Sequence, residues 1–193
     1  MFNDRYGLTK AVLDGRKTVT RRPVPEKLLE AYCDYDDYCL AVAPHDIPCS
    51  REYEKEFFLR RSPFKAGEVV AVAQAYRDAI NPLDWVNTLI YKNEPGWTNK
   101  MFVGADLMPH QIFINAVRVE RLQDISDEDC LREGIIEDCP GVQYSFPTEI
   151  GYCGQYPFET PREAFAAMID RISGKGTWES NPWVVVYEFE LVK

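Results

Sequence analysis

The stretch DGRKTVTRR, residues 14–22, marks the point where the chain changes from one kind of element to another. Ahead of it, over residues 6–14, Leu8, Ala11 and Val12 recur at helical spacing, and Gly15 stands where a helix end calls for a left-handed residue. Beyond it, residues 17–24 alternate and are rich in β-branched side chains, which predicts a strand. Helix, glycine and strand therefore follow one another, with four basic side chains and two threonines packed into nine residues.

That concentration of positive charge stands out because the whole chain of 193 residues carries −9. The first 22 residues hold six basic and two acidic side chains, a balance of +4, which leaves −13 for the remainder. A pI near 4.8 excludes a protein that coats nucleic acid through a broad cationic face. A small basic pocket in an acidic body remains, suited to one phosphorylated or polar ligand.

Further along, residues 25–64 mix aromatics, charges, prolines and cysteines without a sustained period, apart from a short helix expected over 25–32. Residues 67–76, GEVVAVAQAY, predict a buried strand, and 84–91 are a candidate for another. Residues 111–122, QIFINAVRVERL, predict a long strand with Phe113, Val117 and Val119 on one face. Ser126 caps a helix whose first turn is Asp127, Glu128 and Asp129, favourable at the positive end of the dipole, and Gly134 ends it. Thr160, Pro161 and Glu163 open a further helix with Phe165, Met168, Ile169 and Ile172 on one side. Last, Trp183, Val185, Tyr187, Phe189 and Leu191 alternate with Glu188 and Glu190 in a terminal strand. Long strands with a few short helices between them predict an α+β chain, a single domain over 1–193 built on a small mixed barrel, with insertions at about 25–60 and 136–158.

Six cysteines form no CxxC pair. Cys33, Cys39, His45 and Cys49 have spacings that match no common zinc finger or ribbon, so reduced structural thiols are expected, with no metal and no cofactor. Residues 1–22 lack the apolar segment of a secretory signal, and the longest strongly apolar run, 183–187, is far too short to span a bilayer. A cytoplasmic location without a membrane partner is the expectation.

Four pieces, taken in order, carry a resemblance. They are GRKTVTRR with Gly15, Lys17, Thr20 and Arg22; then FKAGEVVAV; then VRVERLQDISDEDCLREGI; and NPWVVVYEFELV. Together they resemble the ASCH domain, a relative of the PUA domain, in its larger bacterial or phage form. The resemblance implies a PUA-like, partly closed mixed β-barrel with peripheral α-helices and a cleft for RNA or nucleotide ligands. Small bacterial members hydrolyse N4-acetylcytidine to cytidine and acetate with a lysine, a threonine and a glutamate. Carried over, these fall on Lys17, Thr20 and Glu133.

The residues suit that chemistry. Amide cleavage needs a base, a proton donor and positive charge where the oxyanion develops. Lys17, crowded by Arg16, Arg21 and Arg22, is expected to lose its proton more readily than a free lysine and to serve as base or nucleophile. Thr20 would be the hydroxyl that Lys17 activates, or a group positioning water, provided that Lys17 lies in the turn after Gly15; within a strand, residues three apart point oppositely. Arg22, two residues on, shares the face of Thr20 and suits an oxyanion or phosphate. Glu133 sits at the unfavourable end of its helix dipole, as a residue with a tertiary role such as proton shuttling can. Taken alone, the basic run would be a solvated face and Glu133 a surface residue beside Arg132.

Arg21, Tyr76 and His110 join Arg22 as expected ligand-binding residues, His110 from the loop 99–110 that resembles one lying over the cleft of larger ASCH proteins. Trp97 and Trp178 are open to base stacking, whereas Trp183 reads as core. His45 is assigned nothing. Where larger relatives carry W-V-R-E-T, residues 71–76 read AVAQAY, so the arginine and glutamate of that segment are missing. The leading expectation is a nucleoside- or RNA-directed protein, an amidohydrolase acting on N4-acetylcytidine; the alternative is a non-catalytic binder of RNA or a modified base. A nuclease is disfavoured by the lack of an obvious metal cluster or histidine pair in the sequence.

Overall fold

A computed structural model describes residues 2–42, 51–81, 83–141, 143–146 and 158–192. The chain enters through helix α1 (Leu8–Leu13), which ends just before Gly15 at φ +72°. Residues 16 and 17 both donate their backbone N–H to the Ala11 carbonyl, so Lys17 belongs to a tight turn and strand β1 (Val19–Pro23) begins beyond it. Two longer helices follow, α2 (Glu26–Val42) and α3 (Arg51–Arg60), then the short strand β2 (Val69–Ala71), α4 (Tyr76–Ala79) and α5 (Trp85–Tyr91). Strand β3 (Gln111–Arg121) leads to α6 (Asp127–Arg132), the hairpin of β4 (Ile136–Cys139) and β5 (Gln143–Ser145), α7 (Pro161–Ser173), α8 (Thr177–Ser180) and finally β6 (Trp183–Leu191).

Four strands form one antiparallel sheet in the order β1-β6-β3-β2, curled into a half-barrel. β6 lies at its centre, and its residues from Trp183 to Tyr187 are buried on both faces. One face carries Val19, Val184 and Val186 against α6 and α7, with Leu122, Ile125, Cys130, Phe165 and Met168. The other carries Ile114, Val119, Val185 and Tyr187 against Phe57 and Phe58 of α3 and Leu28 and Leu29 of α2. Helices on both sides are what allow a continuous run of apolar residues in the central strand.

Several expectations need correction. The one short helix expected over 25–32 is longer, α2, and is joined by α3; both cover one sheet face, where Tyr32, Phe57 and Phe58 meet in one aromatic cluster. The strand expected over 67–76 shrinks to three residues: among the described residues β2 is an edge strand paired only with β3, and Val69 stays exposed. Residues 84–91 form a helix instead of a strand, started by Asp84, whose side chain accepts from the Asn87 N–H at 3.2 Å. Phe113 does not share a face with Val117 and Val119: a register shift between Ile114 and Ala116 puts Ile114 on their side instead, since a bulge inverts the alternation. The sheet is wholly antiparallel, not mixed, among the described residues. Within 136–158 the described part is a hairpin, with Tyr144 bridged to Phe158. Helices α6 and α7 start at Ser126 and Thr160 as expected, each side chain accepting from a backbone N–H three residues on, at 3.1 Å in both cases.

Candidate functional site

The turn after Gly15 lays its residues against the open end of α6. A helix leaves its last carbonyls without partners, and cations are favoured there. The Thr18 N–H donates to the Arg132 carbonyl at 2.9 Å, and Lys17 Nζ donates to the Glu133 carbonyl at 2.8 Å. The same ammonium also donates to Glu133 Oε2. Thus Lys17 caps the helix and pairs with the side chain of its C-cap residue at once. Gly134, at φ +106°, lets the chain turn away immediately; a Cβ there would come within 3.3 Å of Leu8.

Lys17 and Glu133 are 2% and 4% exposed, which decides that Glu133 is no solvated surface residue. Nor does it pair with Arg132, which donates to Asp129 at 3.0 Å and to Glu188 at 3.1 Å. Burial, the strongest influence, pushes the Lys17 pKa below the usual lysine value; the Glu133 charge and hydrogen bond oppose this, and Arg22 and Arg21 add to it. The crowding expected from neighbouring arginines is present but secondary to desolvation.

Arg21 is placed differently from its neighbours. Its NH2 donates to Glu120 and Asp129, each at 2.7 Å, its Nε to Glu120 at 2.9 Å and its NH1 to Glu133 at 3.2 Å. Three carboxylates therefore hold the guanidinium. Arg118 adds bonds to Glu120, Asp129 and Glu188. Burial is the largest influence on Asp129 and raises its pKa, but the Arg21 hydrogen bond with the charges of Arg21, Arg118 and Arg132 holds the carboxyl below the usual range.

Strand pairing explains the split. Arg21 is opposite Val186 and Thr20 opposite Tyr187, so successive β1 residues face opposite sides of the sheet. Thr20 and Arg22 share the side of Tyr187. At the sheet edge the sides meet: Lys17, Thr20, Arg21, Arg22 and Glu133 all line one cavity of about 350 Å³, with Phe165, Met168 and Ile169 of α7 as an apolar wall. Phe2 stands between the cations, 6.0 Å from Lys17 Nζ and 5.9 Å from the Arg22 guanidinium carbon. Asp4 and Lys100, joined at 2.8 Å, also line the cavity.

Tyr76 and His110 are not among the lining residues. Tyr76 is buried, its hydroxyl accepts from the Gly104 N–H at 2.8 Å and its ring packs 4.8 Å from Tyr91, so it holds the 95–104 segment in place. His110 accepts at its carbonyl from the Val72 N–H. Trp183 is core, with Nε1 donating to Glu54 at 3.2 Å, and Trp178 packs edge-on against Phe165. His45 and Cys49 lie outside the described residues, and no group of three or more metal-ligating side chains occurs among the described ones. No described helix is long and apolar enough to cross a membrane.

Sequence reasoning missed Glu120, Asp129, Glu188, Arg118 and Lys100. A signal existed for two of them: Arg118 and Glu120 alternate with the apolar Val117 and Val119, so both point to the same face. The chain matches no family model, no curated protein and no solved structure.

Proposed function

We propose that this chain is a nucleoside- or RNA-directed protein of ASCH, PUA-like type, and that it removes an acyl group from N4-acetylcytidine or a related amide. The observation that carries the reading is the buried Lys17–Glu133 pair, opening with Thr20 and Arg22 onto one cavity. Both members belong to motifs that resemble that family, and the curled sheet flanked by helices is compatible with its barrel.

In this scheme a water held by Thr20 gives a proton to neutral Lys17, whose lowered pKa favours that form. The water oxygen adds to the acyl carbon, and Arg22 faces the oxyanion. The C–N bond then breaks as the proton passes from Lys17 through Glu133 to the leaving nitrogen. Products are the free amine of cytidine and a carboxylic acid. The chemistry as written uses only this chain's side chains and water.

A second reading has its own support. Lys17 and Glu133 are so closed upon each other that a pair serving only to shape the pocket would look the same. A modified base or nucleotide would then be recognised near Arg22 and Phe2 without reaction.

Incubation with N4-acetylcytidine and with short RNA separates these readings, following acetate release, strand cleavage and binding. Acetate release is expected from the wild type, with a loss of about 10²–10⁴-fold in Lys17→Ala and Glu133→Ala. Thr20→Val, at a half-buried position, checks that loss of activity is not loss of folding. Binding without turnover in the wild type would overturn the hydrolase and favour the reader.

A further inference from the structure

A second cavity of about 310 Å³ adjoins the first, and Phe2, Thr20, Arg22 and Pro23 line both. Its remaining walls are nearly all apolar, with Val70, Ile112, Phe189 and Tyr187 from the sheet and Phe64 from the turn after α3. That turn is fastened. Ser62 is 5% exposed, donates to the Phe64 carbonyl at 2.9 Å and shares a 2.8 Å hydrogen bond with the Tyr187 hydroxyl. Phe64 accordingly stands edge-on to the Tyr187 ring, 5.8 Å away at 77°. The helical pair α2–α3 thus delivers a wall to the site.

The two cavities differ in what they can hold. A ribose carries hydroxyls that need partners, and burying them in apolar surroundings is unfavourable. Asn3, Asp4 and Lys100 line the first cavity and offer such partners; the second offers almost none away from the shared wall. A carbonyl held at Arg22 would direct the nucleoside to the polar side and its acyl substituent to the apolar one. The apolar chamber also lies within the size range of small-molecule sites, about 300–1,000 Å³, far more than an acetyl methyl fills.

From this division, and resting on the amidohydrolase reading, we infer that the apolar chamber is the subsite for the acyl group. The preferred substrates are then cytidines acylated with an aryl or other bulky apolar group. Ala73, on the chamber wall, and Phe64 set how large that group can be.

Binding of N4-acetylcytidine and N4-benzoylcytidine by calorimetry, with release of each acid followed in parallel, tests the assignment. Benzoylcytidine is expected to bind at least tenfold more tightly. Ala73→Leu, which fills the chamber, should weaken benzoylcytidine at least tenfold more than acetylcytidine, and Phe64→Ala should narrow the preference; thermal melting confirms that both variants fold. Equal affinities, a preference that survives Ala73→Leu, or no binding of benzoylcytidine overturns the subsite. A preference without release of either acid overturns the hydrolase reading and leaves the subsite standing, whereas acetate release without a preference does the reverse.

Discussion

The ammonium of Lys17 and the side chain of Glu133 meet across 116 residues of sequence, and the same ammonium reaches the Glu133 main-chain carbonyl at 2.8 Å. One contact therefore joins the turn after α1 to the end of α6, and both residues line the cavity. Structure and candidate chemistry rest on the same two side chains.

Breaking this pair from one side should be costly. Glu133→Leu takes the carboxylate from the buried Lys17 ammonium, with an expected loss of about 3–5 kcal/mol, and Lys17→Met, which leaves Glu133 its 3.2 Å bond to Arg21, should lose less. The double variant should lose clearly less than the sum, because neither charge is then stranded. Urea unfolding of the four proteins gives the coupling; strictly additive losses would show that the pair does not act as a unit.

Stability should respond to pH at both ends of the scale. Asp129 has a folded pKa below its unfolded value of about 3.9, so its contribution is complete above that value and is lost as pH falls through the folded pKa. Asp129→Asn should flatten the acid limb of the stability curve. Lys17 also has a lowered folded pKa, but as a cation: between that pKa and 10.5 the unfolded chain binds more protons, so stability rises with pH across this window. Lys17→Met should abolish the rise. Denaturation midpoints from pH 2 to 11 check both.

The two glycines that frame the site should differ in tolerance. Gly15 has φ +72° with open space around it, so Gly15→Ala meets only the left-handed backbone penalty of about 1–2 kcal/mol. Gly134 has φ +106°, and its Cβ would also press on Leu8 at 3.3 Å. Gly134→Ala should therefore lower the melting temperature more than Gly15→Ala, and the reverse order would contradict the close packing of α1 against the end of α6.

Two thiols make a contrast accessible to labelling. Cys130 is fully buried and burial, above all, pushes its pKa up to about 12, so the thiolate is scarce at neutral pH. Cys33 is exposed. Iodoacetamide treatment of the native protein followed by peptide mapping should mark Cys33 and spare Cys130 until denaturant is added.

Much of the framework was legible in the linear order of residues. Caps at Ser126 and Thr160 and the glycine ends of α1 and α6 are local signals, because hydrogen bonds within a few residues produce them. The helical pair α2–α3 was not, since its apolar residues are sparse and gain meaning only against the sheet face that they cover. The bulge in β3 was equally hidden: nothing in INAVR marks the skipped residue, yet it moves Phe113 off the face of Val117 and Val119.

For the site, the residue order already carries a clustered set of cations in an acidic chain and a turn at Gly15 that takes Lys17 out of the strand. Folding then assigned their surroundings: Arg21 is held by carboxylates, and Arg22 lines both cavities. Arg21 and Arg22 are adjacent and chemically identical, but the two-residue period of β1 sends Arg21 into three carboxylates and Arg22 toward the apolar chamber. Charge can be read from residue types, whereas partners depend on strands and helices more than 90 residues apart in the chain, which only folding brings together.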